Sequence, residues 1–195
     1  MLRIVLVRPG QTDYDHQLRI RGTLDVPMNP QGLHEVDETI EQLRGLDIDA
    51  VYSGPCQPTR ETAEALADAF DAKLKIVDRL ANLDAGLWQG KLIADVKQHQ
   101  PRVYRQWQEN PDGVCPPSGE SVSEVRDRIR TALDKVWKKH HKGSATVVIV
   151  APEPLASVIH AELARERLGN LWKAEGHCGW WEIIEYEKTP VASGH

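Results

Sequence analysis

The sequence predicts an α/β fold, a three-layer sandwich in which a mixed, mostly parallel central sheet lies between helices. Three observations predict it. Strand-like runs alternate with helix-like segments along nearly the whole chain. The run from Thr146 to Val150 is continuously β-branched, which suits a strand covered on both faces and places it in mid-sheet. A chain of 195 residues, 41% of them hydrophobic, is also of a size to enclose one core, and no repeat or linker interrupts it.

Residues 2–7 (LRIVLV) read as the first buried strand. Asn29, Pro30 and Gly32 then open an apolar-periodic helix to about Leu46, with Asn as cap and Pro in the first turn. A short strand follows at 50–53, an Ala-, Glu- and Leu-rich helix from Gln57 to Phe70, and a third strand at 73–77. A loop carries Gly86, Trp88 and Gly90, and one helix is predicted over 92–109. The stretch NPDGVCPPSGES is turn-rich, and Ser121 with Glu124 forms a capping-box signature for a helix over 122–141. After the central strand a helix is predicted over 153–168, and a last strand over 180–186. The domain is drawn over 1–188, with a polar tail at 189–195.

Composition narrows the function. The formal charge of -5, with 24 basic and 29 acidic residues well mixed, offers no basic stripe for a nucleic-acid backbone. The apolar run at the N-terminus is broken by Arg3 and ended by Arg8, too short for a signal core or a membrane span, so a cytoplasmic protein without membrane contact is expected. Cys56, Cys115 and Cys178 are odd in number and lack metal-ligand spacing, which predicts reduced thiols in core or loop and neither a metal nor another cofactor. Trp180 and Trp181, adjacent in a predicted strand, should point to opposite faces, one into the core and one free to anchor an interface.

Arg8, Gly10, Thr12, Gly22, Asp25, Pro27 and Gly32 in the N-terminal stretch, the turn and helix of VYSGPCQPTRETAEAL, GLWQG at 86–90, PSGES, and VVIVAPEPLASVIH follow one another in order. Together they resemble the histidine phosphatase (phosphoglycerate mutase-like) superfamily over nearly the whole chain. The resemblance implies the same fold, with the site at the C-terminal ends of the first strand and the central strand, and it allows a homodimer.

The family's chemistry needs an imidazole nucleophile, a second histidine and arginines to hold the phosphoryl oxygens, and an acid to protonate the leaving group. On this resemblance the nucleophile position is Pro9, the second histidine is Pro152, a phosphate-binding arginine is Pro58 and the acid is Asn82. No catalytic residue is therefore assigned. Arg8 and Arg19 remain as candidates for phosphate or another anion, and Asp15 stands where an asparagine is common and would repel phosphate. Glu153 and Pro154 alter the segment after the central strand, and Pro58, Pro152 and Pro154 fall in predicted first turns, where proline is tolerated but removes N–H donors. Possible substitutes are Arg60, Asp84, His16 and His160, for which solvated or packing roles are the simpler reading.

The expectation is a catalytically inactive member of the family, a pseudophosphatase that binds or scaffolds, its partner being an unnamed protein or a small anionic ligand. The alternatives are a phosphatase or mutase-like enzyme with a rewired pocket, and a non-catalytic phosphoester sensor.

Overall fold

The computed structural model describes residues 1–173 and 178–187. The expected tail at 189–195 lies outside the described residues.

Five strands form one sheet: β1 (Leu2–Val7), β2 (Ala50–Ser53), β3 (Lys73–Ile76), β4 (Ala145–Val150) and β5 (Trp181–Tyr186), in the order β3-β2-β4-β1-β5. β1 and β2 both run parallel to β4, and β3 runs parallel to β2, whereas β5 closes the far edge antiparallel to β1. The continuous β-branched run thus lies in mid-sheet, as its sequence predicts.

Side-chain alternation along the strands builds two cores. Leu2, Ile4 and Leu6 of β1 share one face with Val147 and Ile149 of β4. Val5, Val7, Val148 and Val150 occupy the other face. The second core packs under α2 (Pro30–Leu43) and α3 (Gln57–Ala69), through Leu43, Ala63 and Leu66. The first lies under α6 (Val122–His140) and α7 (Leu155–Ala164), through Val125, Ile129, Leu155 and Ile159. Helices on both faces make the three layers.

The caps behave as their residue types dictate. Asn29 accepts from the Gly32 N–H at the start of α2, and Ser121 and Glu124 cap α6 reciprocally. A short helix that the sequence did not suggest, α1 (Asp13–His16), carries a second such box between Thr12 and Asp15.

Three predicted helices differ from expectation. The segment predicted as one helix over 92–109 is two, α4 (Ile93–His99) and α5 (Pro101–Glu109), because Gln100 precedes a proline and adopts φ -133 and ψ 56. α2 stops at Leu43, with Arg44 already extended at ψ 132. α7 begins at Leu155 instead of 153, with Pro154 as its cap residue, since a residue before proline is disfavoured in helical geometry. It ends at Ala164, where Arg165 turns left-handed at φ 59. Pro58 does occupy the first turn of α3, but Pro152 precedes α7 altogether.

The C-terminal end of β1 is pinned by close backbone contact. A Cβ on Gly10 would lie 2.2 Å from the Gly32 carbonyl oxygen, and one on Gly32 would lie 2.2 Å from that of Gln11, so the loop leaving β1 and the start of α2 can touch only because both residues lack side chains. This contact fixes where Arg8 and Pro9 emerge.

Candidate functional site

A narrow cleft lies at the C-terminal ends of β1 and β4. Arg8, Pro9, Arg19, Pro152 and Glu153, from segments far apart in sequence, converge on it. Its apolar wall includes Trp88, Trp107 and Trp172, whose rings pack 5.4 to 6.2 Å apart.

Arg8 is the first residue past β1, and its side chain is 9% exposed. Its Nε donates to Glu153 Oε1 at 2.5 Å. The guanidinium lies 4.2 Å over the Trp180 ring, and its Nη1 stands 4.0 Å from Glu182 Oε1. The second oxygen of Glu153 accepts from the Ser157 hydroxyl at 2.8 Å and the Ser157 N–H at 3.2 Å, in the first turn of α7. A carboxylate of the protein therefore sits among a guanidinium, a hydroxyl and a helix N-terminal N–H, the kind of donor set that binds a phosphate group.

Arg19 also lines the cleft, with Nη1 donating to the Gly90 carbonyl at 2.7 Å and Nε to Gln17 at 2.8 Å. Arg21, which sequence reasoning did not single out, lines it too and pairs with Asp15 at 3.2 Å. Asp15 is thus not a bare charge repelling anions, as its type had suggested. Its Oδ2 accepts from Arg21 and from both the N–H and the hydroxyl of Thr12. Among the described residues three arginines and two carboxylates line the cleft, and both carboxylates are bonded to arginines.

Asn82 and Pro58 are buried beside the cleft and are not part of its lining. The Asn82 amide donates to the Gly22 and Glu153 carbonyls, both at 3.0 Å, so it ties the Arg19–Gly22 loop to the segment that carries Glu153. Pro58 gives its carbonyl to the Thr62 hydroxyl, which in turn accepts from the Gly10 N–H at 3.2 Å.

The possible substitutes do not reach the cleft. Arg60 is half-exposed and faces Glu64, and Asp84 accepts from the Gly86 N–H. His16 ends α1 on the surface, and His160 bonds Glu182 through Nδ1 at 2.9 Å.

Trp180 lies before β5 instead of within it, exposed on one face and stacked on Arg8. Trp181 is half-buried, with its Nε1 on Gln42, so neither ring is the fully buried core residue expected of the pair. Cys178 also lines the cleft. Burial, and then the negative charge of Asp15, push its thiol well above the ordinary range, which suppresses the thiolate and with it nucleophilic attack. Among the described residues no group of His, Cys, Asp or Glu could hold a metal, and no helix is long and apolar enough to cross a membrane.

A sequence profile of the histidine phosphatase superfamily (branch 1) matches residues 4–192. The chain belongs to that superfamily. It is 28% identical over 188 residues to phosphoserine phosphatase 1 of Hydrogenobacter thermophilus, covering 96% of this chain and 88% of that one. It is 31% identical over 133 residues to a protein called a probable phosphoglycerate mutase in Salmonella choleraesuis, covering 68% of this chain and 62% of that one. It spans 40% of longer mycobacterial relatives matched at 31% identity. Among solved structures, mycobacterial glucosyl-3-phosphoglycerate phosphatase in complex with VO3 superposes with a TM-score of 0.84 at 25% identity, covering 94% of this chain and 90% of that one. The Hydrogenobacter and Salmonella relatives and the glucosyl-3-phosphoglycerate phosphatase are phosphatases or a mutase by name, and the fold is theirs.

Proposed function

We propose that this member of the superfamily does not turn over phosphoesters, and that it acts as a binding or scaffolding module on a phosphatase framework. The observation that carries the reading is the Arg8–Glu153 pair. Glu153 supplies from within the chain the negative charge that a phosphoryl group would bring, and it draws on Arg8 and the start of α7 together. A phosphate entering this site would have to displace a carboxylate that is 6% exposed and held by three hydrogen bonds.

Proline at 9 and 152 supports the same reading, since neither side chain carries a lone pair or a proton for transfer. Among the described residues that line the cleft none replaces the nucleophile: the Cys178 thiol is held protonated, and Asp15 is engaged by Thr12 and Arg21.

The second reading, an enzyme with a rewired pocket or a sensor of phosphoesters, rests on Arg19 and Arg21 lining a cleft walled by tryptophans, and on the activities named for the relatives. Incubation with p-nitrophenyl phosphate, phosphoserine and 3-phosphoglycerate separates the two. No turnover above buffer is expected; hydrolysis that is reproducible between preparations and lost in Arg8→Ala would overturn the proposal.

A further inference from the structure

A second concavity lies at the opposite edge of the sheet from β5, between β3 and α6. Its cavity volume is about 580 Å³. Buried Tyr52, Leu80, Ala132 and Val136 form an apolar floor. Exposed Lys75, Arg79, Lys135 and Lys139 ring it, against a single lining carboxylate, Asp78.

A cluster of four cations is costly in a chain of net charge -5 unless something negative joins it. Among the described residues no salt bridge neutralises Lys75, Lys135 or Lys139. The Lys139 ammonium instead lies within hydrogen-bonding reach of Lys75; that contact, then desolvation, then the charges of Lys75 and Lys73 hold it below the ordinary lysine range. Two like charges in contact, at the mouth of an apolar hollow, are the feature a bound anion would relieve.

We propose that this groove binds a small organic polyanion, an apolar or aromatic body carrying two or more negative charges, as in a nucleoside di- or triphosphate. The floor supplies apolar surface for the body, and lysines from a strand and a helix converge on the charges from two sides. The site shares no lining residue with the Arg8 cleft, so it stands whatever that cleft does.

The test is calorimetric titration of the full chain with ATP, tripolyphosphate, adenosine and a glutamate-rich peptide, combined with hydrogen-exchange mapping. ATP is expected to bind, with tripolyphosphate at least tenfold weaker and adenosine silent, and with protection confined to residues 73–80 and 132–139. The surface substitutions Lys135→Glu and Lys139→Glu should together weaken ATP at least tenfold without lowering the ligand-free melting temperature. The proposal is overturned if ATP does not bind, if tripolyphosphate binds as well as ATP, if the acidic peptide binds tighter than ATP, or if protection maps to residues 8–22.

Discussion

Glu153 lies against Arg8 at the mouth of the cleft, with its other oxygen on Ser157, so one carboxylate joins the end of β1 to the start of α7. Both side chains are nearly dry, and removing Glu153 leaves the buried Arg8 charge with only the Trp180 ring and Glu182 at 4.0 Å. Glu153→Ala is therefore expected to lower stability by about 3 kcal/mol, within the range for breaking a buried pair. The same change should open the donors to an outside anion. Differential scanning fluorimetry with orthovanadate should show no rise in melting temperature for the wild-type protein and a clear rise for the variant. An equal response from both proteins would mean that Glu153 is not what keeps anions out.

Restoring one family side chain at a time is expected to restore nothing. Catalytic groups act as a unit, so the losses do not add. On the inactive reading proposed above, Pro9→His alone would still lack an acid, and it still meets Arg8 engaged by Glu153. Single-turnover assays with p-nitrophenyl phosphate should find Pro9→His, Pro152→His and Asn82→Asp each indistinguishable from wild type. A phosphohistidine detected in Pro9→His alone would contradict this.

Asn82 is 2% exposed, and its amide donates to two carbonyls. Asn82→Ala leaves both acceptors without that partner, at roughly 1–3 kcal/mol for each group that stays unsatisfied. Urea melts should show the loss with an unchanged m-value.

His140 is held below its ordinary value, first by desolvation and then by the neighbouring Lys139, while its Nε2 meets the Tyr52 hydroxyl at 2.8 Å. A histidine depressed on folding binds fewer protons in the native state than in the unfolded one near pH 6, so its contribution to stability rises with pH there and is lost as pH falls. Melting temperatures should drop from pH 7 to pH 5, and part of the drop should vanish in His140→Gln. A slope unchanged by the substitution would remove His140 as a cause.

The three free thiols should separate by reactivity. Cys115 is exposed on its loop, whereas burial raises the thiols of both Cys56 and Cys178. Titration with a chromogenic disulfide at pH 8 is expected to show one fast thiol, absent in Cys115→Ser, with the other two reacting only on unfolding. A second fast thiol assigned to Cys178 would contradict the protonated state argued for it.

The layers were legible because periodicity and capping are local. LRIVLV and TVVIV read as short buried strands, and Asn29 with Pro30, and Ser121 with Glu124, carry helix-start signals. The break at Gln100–Pro101 was also written in the sequence, but the apolar period running through it masked the proline. α1 is one turn long and too short to show any period.

Residue types at the cleft were equally legible. Pro9 and Pro152 are statements about side-chain chemistry that no packing can alter, and their place beside Arg8 followed from the order of the motifs. The partners of those residues were not. Glu153 lies 145 positions from Arg8 in the chain, and Glu182 reaches it only because β5 pairs antiparallel with β1 in the register that sets Leu6 opposite Glu182. Arg21 neutralises Asp15 through a loop whose path no local pattern specifies. The sequence by itself determined which chemistry the pocket residues can perform, because that depends on covalent structure alone. The tertiary structure decided which charge meets which, because long-range pairing depends on sheet register and on where loops fold back.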